Sequence, residues 1–134
     1  MSTSIINGSN PTILALDDDF DIISIIRQLL QRRGFNVFGF TEPSLALEHF
    51  KMNCNSYDLV LSDVRMPGMN GFDFITKIRE MNSKVIVLLM TAFDSTDFEF
   101  TSALHNNNKA NGFLQKPFTE RELIKVVKTH LNTI

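Results

Sequence analysis

The sequence predicts an α/β fold in which a five-stranded parallel sheet is covered by helices on both faces. Two observations lead there. Five short apolar runs alternate with five stretches whose apolar residues recur at helical spacing, and a parallel strand can follow another only through such a crossover. Several of the runs also break off at an acid or a loop signal, as a strand does where it leaves the sheet.

In chain order, Thr12 to Leu16 is the first strand and runs into Asp17-Asp18-Asp19. Ile22, Ile25, Ile26, Leu29 and Leu30 give the first helix its apolar stripe. Arg32-Arg33 suit the negative end of that helix, and Gly34 stops it. Phe35 to Phe40 is strand two. Thr41-Glu42-Pro43 opens a second helix that turns Ala46, Leu47 and Phe50 to the sheet. Leu59-Val60-Leu61 is a fully buried third strand, and the Pro67-Gly68 loop signal places Asp63 where it stops. Phe74, Ile75, Ile78 and Met81 line the next helix, and Val85 to Met90 is strand four, ending at Thr91. A helix is expected from Asp94 to about His105 on the sparse stripe of Phe100, Ala103 and Leu104, with a loop at Asn106-Asn107-Asn108. Gly112 to Gln115 is strand five. Thr119 to Glu122 is a capping box ahead of Leu123, Val126, Val127 and Leu131.

A chain of 134 residues is about one domain. Residues 1–11, mostly Ser, Thr and Asn, are read as a flexible tail, and 12–134 as the folded unit. The net charge of -2 gives no broad electrostatic reason to bind nucleic acid or an anionic membrane. Neither a basic, apolar leader nor a run long enough to span a bilayer is present, so a cytoplasmic protein without membrane insertion is expected. The lone Cys54 excludes an internal disulfide and a four-thiolate zinc site, and His49, His105 and His130 lack ligand spacing.

The predicted topology brings Asp17 and Asp18 from strand one, Asp63 from strand three, Thr91 from strand four and Lys116 from strand five to one edge of the sheet, where open α/β folds bind ligands. Close carboxylates repel one another unless they share a cation, and their hard oxygens suit Mg²⁺. A metal, an ammonium and a hydroxyl around one carboxylate suit phosphoryl transfer, whose transferred group spreads charge over three oxygens. Lys116 is expected at the mouth of the crevice.

Leu16-Asp17-Asp18, Asp63 followed by Met66-Pro67-Gly68, Thr91-Ala92 and Lys116-Pro117-Phe118 closely resemble the receiver domain of two-component response regulators, including single-domain chemotaxis-type regulators. The resemblance spans about residues 11–133. It implies a flavodoxin-like sheet of order 2-1-3-4-5, with Asp63 as phosphoacceptor. It further implies Mg²⁺ held by Asp17, Asp18, Asp63 and the main-chain carbonyl of Arg65, with Lys116 and Thr91 contacting the phosphoryl oxygens. Phe113 matches the family's aromatic switch position, and the Lys116-Pro117 bond is cis in the family. Implied partners are a sensor histidine kinase or histidine phosphotransfer protein, and a downstream effector protein. With no effector domain following Ile134, output is expected as altered partner binding on the face of the 94–105 helix, strand five and the last helix. The 25 positions from Thr91 to Lys116 exceed the family's usual interval by a few.

The reading is of a switch that catalyses only its own phosphorylation and dephosphorylation and turns over no metabolite. Four rival readings stand beside it. A phosphate carrier within a multistep relay would use the same residues. A Mg²⁺-dependent phosphatase with an Asp nucleophile, of the haloacid-dehalogenase kind, needs a second acid two residues on, where Arg65 stands. A binding module that has lost phosphorylation is opposed by the complete residue set. A flavodoxin-type cofactor protein would need a phosphate loop after strand one, which is missing.

Overall fold

The computed structural model describes residues 10–92 and 109–132. Strands β1 (Thr12–Leu16), β2 (Asn36–Phe40), β3 (Leu59–Asp63), β4 (Ile86–Thr91) and β5 (Gly112–Gln115) form one parallel sheet of order β2-β1-β3-β4-β5. Helices α1 (Phe20–Gln31), α2 (Pro43–Met52), α3 (Gly71–Met81) and α4 (Glu120–Leu131) cover its two faces. The described residues thus hold four helices where five were expected; the one placed at 94–105, with the Asn106–Asn108 loop, lies outside them.

Alternation along each strand divides the core in two. Ile13, Ala15, Leu59, Leu61, Leu88 and Met90 pack with residues of α1 and α4, whereas Leu14, Leu16, Val60, Val87 and Leu89 pack with residues of α2 and α3. The α1 stripe differs by one position from its expected course. Ile23, Ile26 and Leu30 are buried, while Ile25 is 49% exposed, because burying Ile23 turns the face of Ile25 to solvent.

The helix ends follow their capping chemistry. Asp19 caps α1 by accepting from the Asp21 N–H, and Gly34 leaves the helix at φ +91, a left-handed conformation that suits glycine. Thr119 and Glu122 form the expected capping box on α4. Arg32 is the C-cap residue of α1, and it and Arg33 each also pair at 3.2 Å with Glu120, joining the end of α1 to the start of α4.

At the other end of the sheet, Pro11 is buried and its carbonyl accepts from the Asn36 N–H, so the chain is tied to β2 just ahead of β1. Tyr57 packs there among His49, Phe38 and Phe50, with its hydroxyl 2.5 Å from His49 Nε2. Arg79 at the end of α3 fastens the entry to β5: its guanidinium donates to the carbonyls of Val85 and Lys109 and to Asn111 Oδ1. Asn111 in turn bonds Val87 through main chain and side chain, both at 2.7 Å.

Candidate functional site

β1 and β3 are central neighbours, so Asp17, one residue past β1, and Asp63, the last of β3, emerge side by side. Both are buried, at 1% and 7% exposure, and Asp18 beside them is exposed. One oxygen from each of Asp17, Asp18 and Asp63 lies within 4.8 Å of the others. Arg65, Met66, Pro67 and Asn70 line a depression of about 490 Å³ with Asp18.

Lys116 enters from β5. Its Nζ stands 2.5 Å from Asp17 Oδ2 and 3.3 Å from Asp63 Oδ1, its side chain is only 19% exposed, and its peptide bond to Pro117 is cis. It is thus drawn into the crevice and does not stand at its mouth. Burial pulls the ammonium pKa down, but the hydrogen bonds and charges of Asp17 and Asp63 outweigh it, and the net shift is upward. Thr91 ends β4, is buried, and holds the Lys116 N–H through its carbonyl at 2.7 Å. Phe113 lies on β5 opposite Leu89 and is 40% exposed, so the ring is not core filling.

The Asp63 carboxyl is pushed up to about 6, first by burial and then by the Asp17 charge. Lys116 and the Val64 N–H, 3.0 Å from Oδ1, pull the other way without cancelling them. The cluster therefore holds more negative charge than its one ammonium offsets. Its donors are carboxylate oxygens, without thiolate or imidazole, which fits a hard divalent cation such as Mg²⁺ and not a soft metal.

Two residues shape the site that motif reading left without a role. A Cβ on Gly71 would fall 2.3 Å from the Asp63 carbonyl oxygen, so only glycine lets α3 start against the end of β3. Its N–H also donates to the Val64 carbonyl at 2.7 Å. Asn70 caps the same helix through the Asp73 N–H. An Asn-Gly pair just ahead of an apolar helical stripe, with an acid three residues after the Asn, was the available signal.

Comparison with known proteins agrees with this geometry. Residues 13–128 match the response regulator receiver domain family. The chain is 34% identical to the transcriptional regulatory protein CpxR of Escherichia coli over 89% of its own length and 48% of that protein's. It is 32% identical to the two-component response regulator ARR14 of Arabidopsis thaliana over 83% of its length and 28% of that protein's. It therefore spans about half or less of these curated relatives. Among solved structures, a response regulator receiver domain protein of Clostridium thermocellum superposes with a TM-score of 0.80 at 28% identity, covering 91% of this chain and 94% of that one. The chemotaxis response regulator CheY4 of Vibrio cholerae does so with a TM-score of 0.77 at 30% identity, over 91% and 99%. No helix among the described residues is long and apolar enough to cross a membrane. With its sheet order, the acidic cluster at the strand ends and the match over residues 13–128, this chain belongs to the receiver domain family of two-component response regulators.

Proposed function

We propose that the chain is a phosphorylation-dependent switch in which Asp63 takes a phosphoryl group from a sensor histidine kinase or a histidine phosphotransfer protein. The observation that carries this reading is one buried carboxylate with an ammonium at 3.3 Å and two further carboxylates close enough to share a cation with it. In the transfer, an Asp63 oxygen forms the new P–O bond as the donor's P–N bond breaks, and the donor imidazole keeps its lone pair and takes up a proton. Asp17, Asp18, Asp63 and the Arg65 carbonyl would hold Mg²⁺, which when bound offsets the charge of the carboxylates and of the incoming group. Lys116 is close enough to Asp63 to pair with a phosphoryl oxygen, and Thr91 stands at the neighbouring strand end for another. No metabolite is turned over; the protein catalyses only its own modification and its reversal.

Output is assigned to a partner surface that includes β5 and α4, where the half-exposed Phe113 ring lies. Phosphorylation adds charge beside Lys116, and the chain answers by shifting between two arrangements of that surface.

The test is the intact mass after incubation with a small-molecule phosphodonor and Mg²⁺. One added phosphoryl group is expected, absent from Asp63→Asn and absent in excess chelator. Equal labelling of Asp63→Asn, or equal labelling in chelator, would remove this reading.

A further inference from the structure

The outer edge of β2 lacks the features that keep strand edges apart. Asn36-Val37-Phe38-Gly39-Phe40 contains no charge and no proline, and among the described residues no strand pairs with its outer side. Such an edge is a row of backbone donors and acceptors ready for another strand, and edges that stay single usually carry Lys, Pro or a bulge. The alternation along β2 shows which groups face outward. Asn36 donates to the Pro11 carbonyl and the Phe40 carbonyl accepts from Asp17, both on the β1 side, so the N–H and C=O of Val37 and Gly39 point away from the sheet.

The surface beside this edge is apolar. Three of the six exposed large hydrophobic residues among those described lie here: Phe38 at 48%, Leu45 at 54% and Met52 at 80% exposure. Leu45, His49 and Met52 are spaced to share one face of α2, and the His49 ring lies 5.4 Å from that of Phe38. The strip therefore continues from the helix to the strand edge.

Charge selects the occupant. Arg33 stands three residues before β2 and Glu42 two residues after it, so the strand carries opposite charges at its two ends. An antiparallel copy centred on Phe38 sets the Arg33 end of each strand against the Glu42 end of the other, whereas a parallel copy would align like with like. Arg33 already pairs with Glu120 of its own chain, and its guanidinium has donors for both. The same register exchanges main-chain hydrogen bonds between Val37 of one copy and Gly39 of the other. It leaves the two Phe38 residues directly opposite on one face, with Cβ atoms about 4.5–5.5 Å apart.

We infer that the β2 edge is a self-association surface, on which a second copy of this chain pairs antiparallel about a two-fold axis at Phe38 and extends the sheet across both subunits. The arrangement is closed and isologous, so association stops at the dimer.

Sedimentation velocity over a broad concentration series should show a monomer–dimer equilibrium. Phe38→Lys sets two ammonium groups against each other on the axis and should give a folded monomer with unchanged phosphoryl labelling, since Phe38 plays no part at Asp63, although its ring contacts with Tyr57 and His49 are lost. In a Cys54→Ser background, Phe38→Cys alone should form a disulfide-linked dimer under mild oxidation. Asn36→Cys should do so only when mixed with Phe40→Cys. Amide exchange at Val37 and Gly39 should slow as the dimer forms. A monomer at every concentration overturns the inference, as does a dimer indifferent to Phe38→Lys. If Val37 and Gly39 are protected in a monomer until residues 1–9 are deleted, the chain's own N-terminal segment covers the edge and a second copy does not.

Discussion

Two places in this domain bury groups that water would otherwise solvate, and they do it in opposite ways. Beside β2, Tyr57 is pushed up to about 12 by burial, so its hydroxyl stays neutral through the physiological range while it bonds His49 at 2.5 Å among aromatic rings. At the strand ends, Asp63 is pushed up only to about 6, which leaves it ionised at neutral pH beside the Asp17 carboxylate with Lys116 between them. One place holds a neutral hydroxyl hydrogen-bonded among rings; the other holds carboxyl groups close enough to repel one another. The difference teaches where chemistry can be done, because an unresolved charge is what a cation or a phosphoryl group can act upon.

Breaking the apolar place should have the largest effect on stability. Phe50 is fully buried and stacks on Tyr57, so Phe50→Ala should cost about 3–5 kcal/mol in chemical denaturation, while the fraction still folded is labelled normally. Loss of labelling at unchanged stability would show that the two places are not separate. Lys116→Ala comes next. It leaves Asp17 and Asp63 facing each other without their ammonium, so the metal-free domain should lose about 1–3 kcal/mol at neutral pH, and Mg²⁺ should restore much of it. On the proposed function the response to phosphorylation should not return, because the metal would not replace the side chain assigned to a phosphoryl oxygen. A folded state as stable as the parent in chelator would contradict this.

Smaller effects sharpen the contrast. The folded pKa of Asp63 lies above its ordinary 3.8, so the native state holds this proton more tightly than the unfolded chain does. The stability it contributes is complete below 3.8 and is lost as pH rises through about 6. Between about pH 4 and pH 7 in chelator, this carboxyl should remove about 1–2 kcal/mol, and Asp63→Asn should flatten that part of the profile. Tyr57→Phe should cost least, about 1 kcal/mol at neutral pH in chemical denaturation, because it deletes one hydrogen bond and leaves the ring packing in place.

The carboxyl-end site was legible because its parts are punctuation: Asp17, Asp63 and Lys116 each stand where an apolar run stops, and a parallel sheet gathers such stops at one edge. The far edge was not legible. The resemblance already put strand two last in the sheet, but Phe38 is one aromatic in an apolar strand, and its half-exposed place depends on where α2 leaves off, a property of packing and not of period. The four isoleucines at 22, 23, 25 and 26 show the same limit, since a run so uniformly apolar fits more than one stripe and the sheet chose Ile23 over Ile25. Lys116 was placed at the right strand end but at the wrong depth, because its burial comes from two acids that lie 99 and 53 positions away in sequence.

The Arg79 clasp has a consequence for how the domain tolerates change. It grips Lys109 and Asn111 from α3, while the Thr91 carbonyl grips Lys116, so the register of β5 is set by anchors that all lie outside residues 93–108. Between fixed end points, added chain costs little; each doubling of a loop's length costs only about 0.6 kcal/mol in closure entropy. Lys116 is therefore held against Asp17 from both sides of that interval, by the Thr91 carbonyl directly and by the Arg79 clasp through Lys109 and Asn111.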